Sequence, residues 1–553
     1  MLGLGLGLGI GAAQTPPLAR YNIGGKAPAV VADFSAGVYG LNGAPVAFDG
    51  LFSFARLSAA WKLNGLGDWV EVSSGEPRTG HHIWKDGKLV PAGQLVESAT
   101  RTQFVRYASA IVGNWGSPDS DLSDAGDDFV RITSEGGSPF PRTEIGSLTA
   151  GAGTFTAQAD FREGSSGVAV LRFTGTGIKG SDTSYAVQFN FSDQSVIYAG
   201  SGGSPAVDAG FELVSPGVYR VYATVTATTI TGINIYPVWN GSTAGQTVDF
   251  RYPQIVNAVT PTSFIPNTAD SSVTLAGETL QINAPVLARA IGSPGPELWD
   301  DGAVVVGALW TNNGGGSYTK SSGGGSALTI SNGSVPNGSN IVFSLKVSGM
   351  TGGSYNVNIN GATALNITSS GDYDFVATAG SSPPDLAIIG GFSADGTVSM
   401  ISARQVTMPD ELTFLIKGTM TRAKEPASRT NVIAMQWWLD VDNSLDLLVA
   451  TDGASTGKPY FRNENDADFT QLAGPAAALD LGVEEEFSLA FVLSATEIEG
   501  FYNGVSTGTS AYGGMANLLT TPMQIFPVGN ATVKDFHVWP EALPSADMVE
   551  ATA

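Results

Sequence analysis

The 553-residue chain contains no cysteine, only three histidines and few charges. Without cysteine, neither disulfide bonds nor thiolate metal sites are available, and folding does not depend on an oxidising compartment. Charged residues make up 14% of the chain, and 50 Asp and Glu outnumber 27 Lys and Arg, which gives a net charge of −23. A field of that sign repels phosphate backbones, so nucleic acid is not expected as a partner.

Long apolar runs are also missing. No stretch approaches the roughly 20 apolar residues that a membrane-spanning helix needs, so membrane insertion is not expected. The chain is nevertheless hydrophobic enough to fold, because 42% of its residues are apolar and its mean hydropathy is +0.09. Its length is several times the ~100–150 residues of a typical domain, which predicts several independently folded units.

Short apolar runs bounded by turn-forming residues fill the sequence instead. The 71 Gly and 29 Pro interrupt these runs, and sustained helical periodicity is nearly absent. The pattern predicts an all-β fold of tandem jelly-roll or β-sandwich modules with an extended N-terminal attachment segment. Asn503-Gly504 indicates a tight hairpin turn, and Ser545 is placed to cap a short helix near the end of the sequence.

Apolar residues alternate with glycines at the start of the sequence. In an extended strand this alternation places one set of side chains on a single face, and that set is Leu2, Leu4, Leu6, Leu8 and Ile10. A secretory signal would carry Lys or Arg before the apolar stretch, and none is present there. We expect residues 1–20 to be a docking strand that pairs with an edge of a neighbouring protein. The alternative is a strand packed within its own chain.

Shifts in composition divide the rest of the chain into five segments. We expect a neck or adaptor at 21–100, a jelly roll at 101–268, a bridge at 269–295, a second β-sandwich at 296–407 and a last sandwich at 408–553. Gly292-Ser-Pro-Gly-Pro296 is the clearest turn-rich boundary. The neck has few long apolar runs, so it is expected to depend on packing against its neighbours.

Two stretches resemble known families. The first contains Glu76-Pro-Arg78, Gly87, Leu95-Val-Glu-Ser-Ala-Thr-Arg-Thr102, Trp115 and Pro261-Thr-Ser-Phe-Ile-Pro-Asn-Thr268. This phrase resembles the phage head spike or tail fibre family, in which it precedes a carbohydrate-binding-like jelly roll. Gln103 stands where that family usually has Asn. The resemblance implies a jelly roll at 101–268 and a place on a virion surface.

The second resemblance is at the C-terminus. Glu484 to Val492, Gly500-Phe-Tyr-Asn-Gly504, Lys534-Asp-Phe-His-Val-Trp539 and Leu543 to Met548 follow one another there. This order is similar to a concanavalin-like, laminin-G-type sandwich. The resemblance implies binding of glycans or protein surfaces, although the same family also includes glucanases.

Together the resemblances imply a structural component of a phage-type virion, a head spike or tail fibre that displays β-sandwich modules for adhesion to host surface glycan. The expected partners are capsid or tail proteins, through the N-terminus, and a host polysaccharide or receptor. We expect a homo-oligomer, a trimer first or a pentamer at a capsid vertex. It would be assembled in the host cytoplasm and located on the virion. A capsule-degrading tailspike glycosidase and a purely structural decoration protein stay open as alternatives.

Enzyme chemistry is not evident in the sequence. A glycosidase needs two carboxylates across the scissile bond, and the Glu-x-Asp-x-x-Glu pattern of the glucanase branch is absent. The histidines His81, His82 and His537 accompany no Gly-x-Ser-x-Gly turn before a helix and no complete zinc-ligand set. We therefore expect a protein without enzyme activity.

No cofactor is expected, although the pattern allows a structural calcium ion. Asp440, Asp442 and Asp446 offer carboxylates at alternating positions, although the central Gly and terminal Glu of a helix-loop-helix calcium loop are missing. The alternative is a solvated acidic turn. The same alternatives apply to a second acidic loop, which contains Asp119, Asp121, Asp124, Asp127 and Asp128.

Glycan binding requires exposed aromatic rings beside polar groups, because one face of a sugar ring is apolar. Of the adjacent Trp437 and Trp438, one must face away from the core if both lie on a strand. The full set of candidates is Trp437, Trp438, Tyr460, Tyr502, Trp310 and Tyr318. Core or inter-subunit packing is the alternative for each ring.

Overall fold

The computed structural model describes residues 18–199, 208–330, 335–381, 385–421, 431–451, 455–466, 468–480, 482 and 484–553. The docking residues Leu2, Leu4, Leu6, Leu8 and Ile10 lie outside the described residues, so the docking strand stays a prediction. The described residues form 43 strands, numbered here along the chain, and three α-helices. The strands pair in antiparallel sheets that form β-sandwiches, and the predicted all-β class is confirmed.

Sheet A, the largest sheet, draws its ten strands from both ends of the chain. The strands before residue 100 are β1 (Val30–Asp33), β2 (Val38–Leu41), β3 (Ala44–Pro45), β7 (Arg78–Lys85) and β8 (Lys88–Glu97). The strands after residue 408 are β34 (Leu412–Thr421), β39 (Glu485–Leu493), β40 (Glu497–Tyr502), β41 (Val505–Ala511) and β43 (Asn530–Trp539). Strand β43 joins the two groups, because β34 pairs along one side of it while β1 and β8 pair with its two halves on the other.

Sheet B faces sheet A and has seven strands. They are β4 (Ser53–Ala55), β22 (Thr279–Ile282), β35 (Val432–Asp440), β36 (Asn443–Ala450), β37 (Lys458–Asn465), β38 (Asp468–Ala473) and β42 (Met523–Val528). The two sheets enclose one apolar core, to which Phe34, Leu280 and Phe414 all belong. We call this pair of sheets the terminal sandwich.

The terminal sandwich thus contains strands from 21–100, 269–295 and 408–553, which the composition of the sequence divides among three units. Hydrogen bonding explains the difference. The first segment has too few apolar residues for a core of its own, and pairing of β1 and β8 with β43 gives its strands a shared core. Edge groups of β43 that would otherwise be unpaired are satisfied by the same contacts.

The first insert is a sandwich of sheets C and D between β8 and β22. Sheet C consists of β9 (Arg101–Gln103), β10 (Ser120–Gly126), β11 (Phe129–Ser134), β13 (Gly153–Arg162), β17 (Asp208–Ser215), β18 (Val218–Ala227), β20 (Thr247–Val256) and β21 (Val273–Leu275). Sheet D consists of β12 (Thr143–Ile145), β14 (Val168–Ile178), β15 (Asp182–Asn190), β16 (Ser195–Tyr198) and β19 (Thr229–Tyr236). Alternating apolar side chains of both sheets, such as Phe161 and Phe173, fill its core.

The second insert is a sandwich of sheets E and F between β22 and β34. Sheet E consists of β23 (Ser293–Glu297), β25 (Trp310–Gly314), β26 (Ser317–Lys320), β28 (Asn340–Ser348), β31 (Gly371–Thr378) and β33 (Gly396–Thr407). Sheet F consists of β24 (Val305–Val306), β27 (Ser326–Ile330), β29 (Tyr355–Ile359), β30 (Ala362–Ile367) and β32 (Leu386–Gly390). Its core is separate and includes Tyr318 and Phe343. A two-stranded hairpin, β5 (Ala60–Leu63) with β6 (Trp69–Val72), stands apart from these sheets.

The helices are short: α1 (Phe48–Leu51), α2 (Ala284–Ile291) and α3 (Ser545–Thr552). Helix α3 confirms the predicted helix near the end of the sequence, but the cap position predicted for Ser545 is wrong. Ser545 is the first helical residue, Pro544 stands at the cap position, and the Ser545 hydroxyl donates to Glu499 at 2.9 Å. Its Met548 covers the outer face of sheet A together with Leu415 and Trp539. None of the helices in the described part of the chain has the length and apolarity that a bilayer crossing requires.

Candidate functional site

A buried network of charged residues connects the terminal sandwich with the first insert. Arg56, Arg78 and Arg101 lie with Glu97 and Glu278 in a group whose side chains are at most 2% exposed. The Arg78 guanidinium binds Glu278 through both of its carboxylate oxygens and lies 2.7 Å from Glu97. We call these five residues the ionic junction.

The ionic junction gathers residues of the phrase that resembles the spike and fibre family. Arg78, Glu97 and Arg101 come from its first part, and Ser263 from its last part donates a hydrogen bond of 2.6 Å from Oγ to Glu97. Gln103 lies close by and accepts hydrogen bonds from the backbone of Val105 and Ile255 at 3.1 Å and 3.0 Å. The buried members of the phrase therefore build the connection between two sandwiches.

A cleft of about 590 Å³ lies beside the ionic junction, between hairpin β5–β6 and the first insert. Volumes in this range accommodate small ligands and short stretches of polymer. Aromatic residues and two carboxylates line it: Trp61, Trp69, Phe129, Tyr252, Phe264, Asp124 and Asp128. We call it the aromatic cleft.

The hairpin supplies the two tryptophans of the aromatic cleft. Leu63 is paired with Trp69, and Trp61 is two residues before Leu63, so the two indoles lie on the same face of the hairpin. Both are half-buried. Trp61 also packs against the small apolar cluster that contains Ile265 and Leu275, which fixes its ring against the first insert. The indoles therefore form a positioned, partly exposed apolar surface.

A β-bulge positions Tyr252 at the opposite wall. In the pairing of β13 with β20 the register shifts between Gln158 and Asp160, and Tyr252 has a φ of 54°. Bulges redirect side chains and recur beside binding sites. The Tyr252 hydroxyl donates a 2.7 Å hydrogen bond to Asp128, and the ring lies 4.2 Å from that of Phe264. Burial and this hydrogen bond raise the pKa of Tyr252, which keeps the hydroxyl protonated.

The charge of the aromatic cleft is negative. Asp124 and Asp128 are exposed, and they are the charged side chains among the described residues that line it. Three guanidiniums lie against the rings that line the cleft, those of Arg162 and Arg251 at Phe129 and that of Arg220 at Trp69, and each has a buried carboxylate near it. Arg162 lies 3.0 Å from Asp249, and Arg251 lies 3.5 Å from Asp160.

A second pair of carboxylates lies on the far side of Trp69. Glu212 of the first insert and Glu484 of the terminal sandwich line two small adjoining cavities of about 50 and 40 Å³. Arg220 binds Glu212 at 2.9 Å and Asp160 at 2.8 Å. Burial and the neighbouring Glu212 raise the pKa of Glu484 to about 8, and burial also raises the pKa of Glu212. Cavities of this size hold a few water molecules and no sugar ring.

Four of the six aromatic residues that the sequence offers for glycan stacking lie in cores instead. Trp437 is fully buried and donates from Nε1 to the Thr521 carbonyl at 3.1 Å. The other three are Trp310, Tyr318 and Tyr502, with exposed fractions of 6%, 0% and 8%. Packing covers the faces of these four rings, so they belong to the cores and do not offer a surface for a sugar.

Trp438 and Tyr460 remain accessible. Trp438 is 50% exposed and points away from the core that holds Trp437, as strand alternation requires. Tyr460 is half-buried, and its ring lies between Lys458 and Arg462, at 5.3 Å and 5.4 Å from the two cationic groups. These two rings therefore stay candidates for ligand contact on sheet B.

The three candidate calcium ligands are not gathered around one point. Asp440 and Asp442 are exposed in the turn after β35, where Asp440 accepts a hydrogen bond from the Asp442 backbone at 3.0 Å. Asp446 lies on β36, and burial raises its pKa. In the described part of the chain no three acidic, histidine or cysteine side chains are grouped to share a metal ion. The calcium site stays a prediction without a ligand cluster to support it.

The histidines occupy structural positions. His81, which lies within the segment predicted as a neck, is 4% exposed and accepts a hydrogen bond from the Leu63 backbone at 3.1 Å. Burial lowers its pKa to about 3 and that of His537 to about 4, so both rings are neutral at physiological pH. His82 is half-buried next to the Gly80 carbonyl.

Sequence reasoning missed Trp61 and Trp69. The available signal was the pair of short alternating runs around Asn64-Gly-Leu-Gly-Asp68, which indicates a hairpin with both indoles on one face. The facing wall was not foreseeable, because it depends on a bulge in β20. The acidic loop is a candidate for metal binding in the sequence, and two of its members, Asp124 and Asp128, line the aromatic cleft.

No protein-family model matches the chain, and no curated protein matches it either. Similar solved structures include sheep galectin-11 in complex with glycerol, with 11% identity over 24% of this chain and 91% of that chain and a TM-score of 0.18. Mouse laminin alpha1 chain, domains LG4-5, has 10% identity over 74% of this chain and 90% of that chain, with a TM-score of 0.18. The Bacteroides ovatus Xyloglucan PUL GH43B protein has 10% identity over 89% and 88% of the two chains, with a TM-score of 0.18. At such low scores these likenesses define neither fold nor function.

Proposed function

We propose that this chain is a carbohydrate-binding protein without enzyme activity, and that the aromatic cleft holds the glycan. The observation that carries the proposal is the placement of Trp61 and Trp69 on one face of a hairpin, opposite Asp124 and Asp128. Indole faces pack against the apolar face of a sugar ring, and carboxylates accept hydrogen bonds from its hydroxyl groups. The cleft offers both kinds of contact at once.

In this proposal the chain is a component of a phage-type virion, a head spike or tail fibre that attaches the particle to host surface glycan. The support is the resemblance of the phrase that contributes Arg78, Glu97 and Arg101 to the ionic junction, together with the all-β build. A homo-oligomer, a trimer or a pentamer, would strengthen weak single-site binding through avidity. Capsid or tail proteins would be the other partners, through residues 1–20.

The competing function is a capsule-degrading tailspike. It requires two carboxylates on either side of a bound sugar. Asp124 and Asp128 lie together in one loop, and the cavities at Glu212 and Glu484 are too small for a sugar ring. Adhesion is therefore the better-supported function.

The test is binding of the purified protein to isolated host surface polysaccharide, measured by calorimetry, with release of reducing ends measured in parallel. We expect binding without release. Trp61→Ala should abolish the binding, whereas Phe392→Ala, which removes an aromatic ring that is 75% exposed on the second insert, should leave it unchanged. Release of reducing ends would favour the tailspike, and absence of binding to polysaccharide and to host cells would favour a decoration protein.

A further inference from the structure

We propose that the aromatic cleft selects sugars that carry an amine and discriminates against sugars that carry an acid group. The inference rests on the proposed function and adds the chemical class of the ligand. It follows from the distribution of charge around the cleft, since the aromatic walls by themselves would accept any sugar with an apolar face.

The carboxylates of Asp124 and Asp128 are built into the loop in fixed positions. Asp124 Oδ1 accepts a hydrogen bond from the Gly126 backbone at 2.8 Å, and Asp128 Oδ2 accepts one from Tyr252 at 2.7 Å. Asp128 also has a φ of 64°, which belongs to the turn between β10 and β11. Both carboxylates are therefore oriented by the fold before a ligand arrives, which reduces the entropy cost of binding.

The cationic side chains near the cleft are already paired with other groups of the protein. Arg162 binds Asp249, and Arg251 stacks on the Phe129 ring at 4.6 Å while donating to the Asp127 carbonyl at 3.1 Å. Lys62 of the hairpin alternates with Trp61 and donates to the Thr79 carbonyl. Arg220 lies 5.7 Å from the centre of the Trp69 ring, but it is buried and binds Asp160 and Glu212. Among the described residues that line the cleft, a ligand carboxylate or sulfate would therefore meet two carboxylates and no cation, which opposes binding.

An amine fits the same surroundings. An ammonium group gains from each carboxylate and from the face of an indole. The remaining members of the acidic loop, Asp119, Asp121 and Asp127, are exposed but do not line the cleft. The cleft should therefore bind sugars with an amine most tightly, neutral sugars less tightly and sugars with an acid group least tightly.

The test uses three matched probes: chito-oligosaccharide with free amines, its N-acetylated form and oligogalacturonate of equal length. At low salt we expect the amine form to bind about fivefold more tightly than the N-acetylated form, and the acid at least about fivefold more weakly, since one exposed charge pair contributes up to ~1 kcal/mol. The double variant Asp124→Asn with Asp128→Asn keeps both hydrogen-bond acceptors and should remove these differences. Asp121→Asn, which changes the charge of the same loop away from the lining, should retain them.

The outcomes separate the inference from the function on which it rests. Binding of the acid as tightly as the N-acetylated form, or an amine advantage that persists in the double variant, would overturn the inference while leaving glycan binding intact. Failure of all three probes and of host polysaccharide to bind in a Trp61-dependent way would overturn the proposed function, and the inference with it.

Discussion

The Arg78 guanidinium binds both carboxylate oxygens of Glu278, with Nε at 2.8 Å from Oε1 and Nη2 at 2.6 Å from Oε2. Two hundred positions separate the partners in the sequence, and neither side chain is exposed to solvent. Because Glu278 lies between β21 of the first insert and β22, and Arg78 opens β7 of sheet A, the contact ties the end of the first insert to the terminal sandwich.

Glu278→Gln should destabilise the protein strongly. The substitution removes one of the two negative charges of the ionic junction and leaves Arg56 and Arg78 buried with too few partners. Removal of one member of a buried ion pair costs about 3–5 kcal/mol. Urea denaturation followed by tryptophan fluorescence measures this loss. The exposed pair of Lys85 with Glu486 provides the control, since Lys85→Ala should cost below about 1 kcal/mol.

Stability should fall as pH rises from 6.5 to about 8 and should level off above that pH. The pKa of Glu484 is raised to about 8 in the folded protein, whereas an unfolded Glu titrates near 4.3. Between these two pKa values the folded state holds a proton that the unfolded state has lost. The stabilisation from this proton decreases as pH rises and is lost once pH passes 8. We expect a loss on the order of 1 kcal/mol, because Glu484 is half-buried and water screens its charge.

Glu484→Gln, which mimics the protonated carboxyl, should flatten that slope. The buried histidines act below this window: the pKa values of His81 and His537 are lowered to about 3 and 4, so their contribution is lost only as pH falls below ~6.5. Thermal melts at several pH values check the prediction, and equal slopes in the parent and the Gln variant would contradict it.

Trp437→Ala should lower the free energy of unfolding far more than Trp438→Ala, although the two residues are adjacent. Trp437 is fully buried between the sheets, and its loss should cost about 3–5 kcal/mol. Trp438 is 50% exposed, and its loss should change the free energy of unfolding by less than about 1 kcal/mol. Chemical denaturation of both variants measures the difference, and similar losses would contradict the assignment of the two faces.

Much of the local structure could be predicted from the sequence. The tight turn at Asn503-Gly504 is confirmed, with φ values of 41° and 80° between β40 and β41, because turn chemistry depends on neighbouring residues. The pairing of β1 with β43 could not be predicted. It joins Val30 to Val538, and no local pattern states which distant strand will supply the missing hydrogen bonds.

The candidate site likewise combines features that the sequence indicates with features that it could not predict. Alternation around Trp61 and Trp69 could have indicated their shared face, and the acidic loop with Asp124 and Asp128 was visible in the sequence. Their meeting requires the first insert to return to the hairpin through the ionic junction, and it requires the bulge that turns Tyr252 toward the cleft. Both conditions depend on tertiary packing.

Gly93→Ala should disrupt the pairing of the first segment with the terminal sandwich. Gly93 lies on β8 with a φ of 121°, and an added Cβ would lie 2.1 Å from the Val533 carbonyl oxygen of β43. Because a backbone atom cannot move aside as a flexible side chain can, the strands must separate locally, at a cost on the order of 3 kcal/mol.

Gly87→Ala is the matched control, because Gly87 also has a positive φ, 73°, but its added Cβ would meet nothing within 4 Å. The control should cost about 1–2 kcal/mol from backbone strain alone. Hydrogen exchange of the β8 and β43 amides should rise in the Gly93 variant only, and equal exchange in both variants would show that β8 does not need this close approach.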